Sequence, residues 1–341
     1  MAGADRGQGA HAHEGEETAE WIPIPLAVGA NHDGYRLDRF IHARIVRLSR
    51  TRIQAIIERG QVQGARGPLV RPAHRVHAGE VVTVLRPAPP EPPVVLDYAV
   101  AHQDSELLVL DKPAGLPVHP SARYHRHTLT AVLRTRLGVG HGWEMAHRLD
   151  RETSGVMVFG RRGGSGSVLK RSFQRREVDK EYLALVHGRL ATACTLEVPL
   201  GAAAGSEIRV KMGPRALADG GLPACTEVEP LAEGSFRGEP ITLVRARPRT
   251  GRQHQIRVHL ALHGHGIVGD KLYGVEEAWF LDIVEGGRPM AEIGDHLGLW
   301  RHALHAARIE LPHPSDGRRV SFEAPWPAEL AAILPWPQGS R

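Results

Sequence analysis

Three short stretches of this chain combine residue types that can do chemistry. The first is residues 147–155, His-Arg-Leu-Asp-Arg-Glu-Thr-Ser-Gly, with Asp150 at its centre. Charged side chains, a hydroxyl pair and a glycine crowd together there, and the apolar run Val156-Met157-Val158-Phe159 follows at once. Such a run reads as a buried strand. Asp150 is therefore expected on a loop braced against a rigid core, a common place for chemistry. The second stretch, 176–186, opens a strand and carries Tyr182. In the third, 249–259, a glycine turn feeds a helix that bears Arg252, Arg257 and His259. Singly, each has a plain reading: Arg148 with Asp150 as a surface ion pair, Tyr182 as a strand aromatic, Arg252 and Arg257 as a solvated helix face.

These residues need a scaffold. Apolar runs at 94–96, 107–110, 156–159, 182–186, 241–244 and 320–322 read as strands. Helical spacing marks 128–137, 166–175, 253–263 and 327–334. Asp111-Lys112-Pro113-Ala114-Gly115 reads as a turn after a strand. Strands and helices do not alternate regularly, so the expected fold is α+β: a mixed, largely antiparallel sheet with flanking helices. This domain is expected over 94–341, with no internal repeat.

A smaller α/β unit is expected over 35–86. Leu37, Phe40, Ile41 and Ile45 have helical spacing; Ser49 caps a second helix with Ile53, Ile56 and Ile57 on its apolar face and Gly60 as its stop. The unit holds eleven arginines and no lysine, against Asp38, Glu58 and Glu80, so the positive charge is concentrated here and the remainder is net acidic. Arg47, Arg50, Arg52 and Arg59 surround a helix whose other face is apolar, the electrostatic footprint of a nucleic-acid binder. The words "RLDRFI", "SRTRIQAIIERGQVQG" and "VHAGEVVTV" resemble the small RNA-binding module named after a small-subunit ribosomal protein. Before it, 1–34 reads as a disordered tail and lead-in, poor in large apolar side chains over its first twenty residues. After it, 87–93 is a proline-rich, stiff linker.

Composition removes several function classes. The chain has 341 residues, enough for two or three domains, and a net charge of +5. Its two cysteines, Cys194 and Cys225, lie far apart and give neither a disulfide framework nor a zinc site. The 21 histidines are scattered, with no His-Glu-x-x-His, so no metal is expected. There is no secretory h-region and no long apolar run, so no membrane span is expected. A cytoplasmic monomer is the expectation.

Taken together, the three chemical stretches resemble the RluA-type RNA pseudouridine synthases. "HRLDRETSG" matches the signature around that family's catalytic aspartate, "KEYLALVHG" its second motif, and "TGRQHQIRVHLALHGHGIVGDKLYG" its third. "ALHAARIELPHP" and "FEAPWP" match its C-terminal end. The resemblance spans about residues 35–335. Two departures stand out: Phe159-Gly160-Arg161 replaces the family's small apolar residues and lysine, and 275–300 fits no motif. The resemblance implies that uracil is detached from ribose, rotated and rejoined through carbon 5, with no cofactor, because there is no redox change and no net hydrolysis. Asp150 would be the carboxylate, attacking the nucleotide or taking a proton from the sugar, kept ionised by Arg257. Tyr182 would stack on the base once it leaves its helix, its hydroxyl helping to remove the carbon-5 proton. Arg148 and Arg252 would hold flanking phosphates. The implied partner is structured RNA, ribosomal first and transfer RNA second. Two other classes remain open at this point. One is a non-catalytic RNA-binding or ribosome-assembly protein, which has no need of Asp150 and Tyr182 in their motifs. The other is a hydrolase with Asp150 as nucleophile, which would release free uracil.

Overall fold

In the N-terminal unit, strand β1 (Trp21–Ala27) is followed by helices α1 (Leu37–Arg44) and α2 (Arg50–Glu58), then by β2 (Val62–Gly64), β3 (Gly67–Pro68) and β4 (Val81–Pro87). The apolar spacing of both helices does what it promised: Leu37, Phe40, Ile41, Ile53 and Ile57 close a core with Val62, Val76, Val82 and Val84. Ser49 caps α2, its hydroxyl accepting from the Arg52 N–H at 3.3 Å. The computed structural model describes residues 21–46, 48–87, 91–121, 124–285 and 290–336. Two units result, dividing between Pro90 and Glu91. Arg47 and linker residues 88–90 lie outside the described residues, as does the tail before Trp21.

One expectation for this unit needs correction. Residues 21–27 are not lead-in but an edge strand: β1 pairs antiparallel with β4 from Trp21↔Pro87 to Ala27↔Val81. The prolines at 23 and 25 masked the strand in the sequence, and an edge position is where a strand tolerates them. Arg50 is not a free cation. Fully buried Asp38 accepts from Arg36, Arg50 and Gln54, with Arg50 Nη2 at 3.2 Å. Burial pushes the Asp38 carboxyl up, but these donors hold it well below the usual carboxylate range. Asp38 therefore ties α1 to α2, while Arg52 and Arg59 stay exposed.

The second unit begins with β5 (Ala99–Gln103), β6 (Leu107–Lys112), α3 (Leu129–Leu137), β7 (Trp143–Met145), β8 (Ser154–Arg161) and α4 (Ser165–Gln174). It continues with β9 (Asp179–His187), β10 (Cys194–Leu196), β11 (Leu200–Ala202), β12 (Met212–Pro214), β13 (Thr226–Phe236) and β14 (Glu239–Pro248). It ends with α5 (Gln255–Leu262), α6 (Glu277–Glu285), α7 (Met290–Leu297), β15 (Leu304–Pro312), β16 (Arg319–Glu323) and α8 (Ala328–Ala331). The main sheet runs β10-β13-β14-β9-β15-β8-β6-β5, with β16 beside β15 and β7 beside β8. The pairings are antiparallel except β15 with β8. The mixed, largely antiparallel α+β fold is thus the one expected.

Some elements differ. Residues 94–96 form no strand; Val94 and Leu96 pack on the core as an extended segment without a ladder partner. The last helix covers only 328–331 of the expected 327–334. Strands β13 and β15 were not foreseen, and 275–300, which fitted no motif, carries α6 and α7.

One row of the sheet positions the site. Ala306 on β15 is opposite Gly155 of β8 on one side and Tyr182 of β9 on the other. Tyr182 is therefore two strand spacings, roughly 9–10 Å, from the end of the Asp150 loop. Gly155 adopts φ +112°, and a Cβ there would run into the Ala306 carbonyl, so only glycine lets the loop enter β8 this close to β15.

Candidate active site

The loop that carries Asp150 is fixed residue by residue. Fully buried Lys112 donates to the carbonyls of Pro113, Leu116 and Arg151 at 2.8, 3.0 and 3.1 Å, so three acceptors take its three ammonium protons. Gly115 N–H also donates to the Arg151 carbonyl. Buried Arg301 donates to the Glu152 carbonyl at 3.3 Å. Thr153 Oγ1 lies 2.8 Å from His302 Nε2, and Ser154 Oγ lies 2.9 Å from His305 Nδ1. The Glu152 carboxylate takes Lys271 and Arg151, each at 2.7 Å. Asp150, 24% exposed, is the acidic side chain of this loop that lines the cavity.

Helix α5 brings Arg257. The helix is buried over Gln255–Leu260, so its polar side chains need internal partners. Gln255 uses its whole amide: Oε1 accepts from Thr250 Oγ1 and the Arg252 N–H, and Nε2 donates to the Cys225 carbonyl and Thr226 Oγ1. His259 lies against Thr226 and the Val198 carbonyl and is a core histidine. Arg257, 8% exposed, divides its guanidinium between two carboxylates. Nε and Nη2 clamp Asp270 at 2.7 and 2.9 Å, while Nη1 reaches Asp150 Oδ2 at 2.9 Å. Gly269, at φ +79° against the Arg301 carbonyl, lets the Asp270 segment come in this close.

The electrostatics follow from this geometry. Burial pushes the Asp150 carboxyl up, but the Arg257 guanidinium, with smaller contributions from His254 and His302, brings the net shift down, so the carboxylate stays ionised. Burial, then the Asp150 charge, push the Tyr182 phenol well above its ordinary value. Tyr182 is therefore a neutral ring and hydroxyl at neutral pH.

These groups share one cavity of about 690 Å³, within the roughly 300–1,000 Å³ span of ligand sites. Among the described residues, its lining includes Arg148, Arg176, Lys180, Arg249, Arg252 and Arg257, with Asp150 as its one acidic side chain. All five expected residues of this unit, Asp150, Tyr182, Arg257, Arg148 and Arg252, thus come together. Arg148 is exposed, and Arg252 is held by Nε on the Pro223 carbonyl at 3.0 Å. Among the described residues, no cluster of His, Cys, Asp and Glu could hold a metal, and no helix is long and apolar enough to cross a membrane.

Comparison with known proteins decides the family. The family model described as RNA pseudouridylate synthase matches residues 106–262. A Zymomonas mobilis protein named ribosomal large subunit pseudouridine synthase D is 33% identical over 88% of this chain and 93% of its own length. An uncharacterized RNA pseudouridine synthase from Chloroflexus aurantiacus is 36% identical over 94% of this chain and 96% of its own. The chain belongs to the RNA pseudouridylate synthases, enzymes that isomerise uridine to pseudouridine in RNA. Among solved structures, human RNA pseudouridylate synthase domain containing 1 superposes with a TM-score of 0.55 at 27% identity. It covers 71% of this chain and 90% of its own.

For a pseudouridylate synthase the match has an informative edge. It ends at the last residue of α5 and so includes Asp150, Tyr182 and Arg257 but not Asp270, Tyr273 or His302. Those three, with Lys112 and His254, are the site residues that sequence reasoning missed. The available signal was their type: a lysine ending an apolar strand, and an aspartate inside "GDKLYG", need buried partners.

The buried histidines give a pH prediction. Burial pushes His254, His302 and His305 down to about 4 each; for His254 the Asp150 charge works against this, and for His302 Arg257 adds to it. The unfolded chain takes up protons near the ordinary value of about 6.5, the folded one only near 4. Stability is then complete above the higher value and falls as pH drops from about 6.5 to 4, with nearly three protons taken up by these three side chains on unfolding. Denaturant midpoints measured across that range check it; a flat profile down to pH 4 contradicts it.

Proposed function

We propose that the enzyme isomerises uridine in large-subunit ribosomal RNA and that Asp150 acts at the ribose of the target nucleotide. The observation that carries this reading is the Asp150–Arg257 contact of 2.9 Å beside Tyr182 in a cationic cavity. A target base must leave its stack to reach such a cavity. The neutral Tyr182 ring suits stacking on that base, and its raised pKa makes it a poor standing base for the carbon-5 proton. Arg148 and Arg252 supply positive charge for the phosphates on either side. The exposed Arg52 and Arg59 of the N-terminal unit, with Arg50 partly tied to Asp38, add sequence-independent contacts to the RNA backbone. Relatives bearing the large-subunit name span nearly the same length as this chain.

Mapping pseudouridines in total RNA from cells with and without the gene tests the target. The expected result is one or more sites lost from large-subunit ribosomal RNA and restored by the full chain. A chain beginning at Glu91 should restore them poorly, because it lacks the basic unit. Loss confined to transfer RNA would overturn the ribosomal assignment, and full restoration by the short chain would overturn the role of the basic unit.

A further inference from the structure

His254 lies in the site, and the three expected functions leave it unused. It is the N-cap of α5, held at φ +54°, and its ring lines the cavity. Its Nδ1 is 2.9 Å from the hydroxyl of Tyr273, whose ring it meets edge-on with centroids 5.8 Å apart. The same hydroxyl accepts from the Met212 N–H at 3.0 Å. The amide N–H can only donate, which leaves the phenol's own proton available to His254 Nδ1. When Nδ1 accepts that proton, the ring proton sits on Nε2. The ring is also neutral, since burial outweighs the opposing pull of Asp150 and pushes it down to about 4. Nε2–H is thus a donor, and it lies 3.8 Å from Asp150 Oδ2.

That distance is too long for a hydrogen bond, yet one oxygen about 2.8 Å from each atom spans it. The bridging group must accept from Nε2–H and donate to a carboxylate, which a water molecule or a substrate hydroxyl does. In a uridine within an RNA chain the choice is narrow. The uracil carbonyls only accept, its N3–H only donates, and the 3′ and 5′ oxygens are esterified. The 2′-hydroxyl remains.

We infer that His254, its tautomer set by Tyr273, binds the ribose 2′-hydroxyl of the target uridine and turns that hydroxyl's proton towards Asp150. The inference rests on the reading of Asp150 as the carboxylate at the ribose. It gives the site a direct means of distinguishing ribose from deoxyribose at the reacting nucleotide. The contact also orients the sugar, because the carboxylate that acts on it receives the bridging proton. Tyr273 is a positioning residue in this scheme: it touches His254, and Arg257 lies over its ring at 5.1 Å.

The test uses the full chain and a synthetic RNA hairpin copying a site mapped as above, with uridine or 2′-deoxyuridine at the target position. For the parent, the deoxy hairpin should react at least about tenfold more slowly in single-turnover assays. Asparagine tolerates the left-handed backbone at 254, so His254→Asn keeps the fold while losing the Nε2 donor. It should be about tenfold slower on the ribose hairpin and show little further loss on the deoxy one. Glutamine places an amide nitrogen near the Nε2 position, so His254→Gln should recover to within about threefold of the parent. Tyr273→Phe should slow the parent but add nothing to His254→Asn, the mark of two residues acting as one unit. Equilibrium binding of the two hairpins should follow the same pattern, which keeps the comparison readable if the deoxy hairpin does not react at all. An undiminished deoxy penalty in His254→Asn, or equal rates for the Asn and Gln variants, overturns the inference. Asp150→Asn separates the two readings. If it retains activity, the role of Asp150 fails; if it is inactive while the His254 variants match the parent, the His254 inference alone fails.

Discussion

Replacing Asp150 with asparagine should reduce pseudouridine formation to background and leave the fold nearly unchanged. The chemical half follows from charge. Asparagine keeps the shape but has no negative charge, so it neither attacks carbon nor takes a proton. The structural half follows from how Arg257 is held. A buried cation that loses its counter-ion is costly, but Arg257 keeps its two contacts with Asp270, and the amide oxygen of the introduced asparagine can still accept from Nη1. Asp150 is itself partly open to the cavity. The stability change should therefore stay under about 2 kcal/mol. RNA binding should persist, because phosphate contacts fix position without the carboxylate. Single-turnover assays at saturating enzyme give the decision. A variant within about tenfold of the parent, under roughly 1.4 kcal/mol of barrier, would remove Asp150 from the chemistry.

The parts of this molecule that were legible in the sequence are those where one local pattern sufficed. Val156–Phe159 is buried on both faces and reads as a continuous apolar run, so β8 and the loop before it were placed correctly. Helix α2 follows from apolar spacing with Ser49 as its cap, and α3 from helical spacing over 128–137. Strand β13 was missed because Pro230, Glu229 and Glu233 interrupt its apolar residues; its ladder with β14 supplies what its composition does not. Residues 94–96 have the apolar character of a strand but no neighbour to pair with. The same division holds at the site. Asp150, Tyr182 and Arg257 sit in recognisable stretches, whereas Asp270 and Lys112 act through contacts with distant or backbone partners that no local pattern records. Asp38 shows the converse: an exposed-looking acid among arginines proves to be the buried knot of its unit.

Removing the Asp270 side chain should be the most destabilising single change near the site. Asp270 is 1% exposed and supplies two of the three carboxylate contacts of Arg257. Its Oδ1 also accepts from the backbone N–H groups of Leu272 and Tyr273 at 2.9 and 3.1 Å. In Asp270→Ala the buried guanidinium has Asp150 as its remaining carboxylate, and two backbone donors lose an acceptor. Breaking a buried pair from one side costs about 3–5 kcal/mol. Activity should fall about a hundredfold even where the protein is folded, because Arg257 is no longer held at the angle that fixes the Asp150 carboxylate. Asp270→Asn keeps the acceptor for the backbone and should lie between parent and alanine variant in both respects. The pH dependence carries a further sign. Arg257 holds the Asp270 carboxyl below its usual range against the opposing effect of burial. Its contribution is then complete above the unfolded value of about 4 and lost as pH falls below it. The stability gap between parent and Asp270→Ala should therefore be constant near neutrality and narrow below about pH 4. Denaturant midpoints for the three proteins test this directly, and an alanine variant within about 1 kcal/mol of the parent at neutral pH would show that Asp150 alone suffices to hold Arg257.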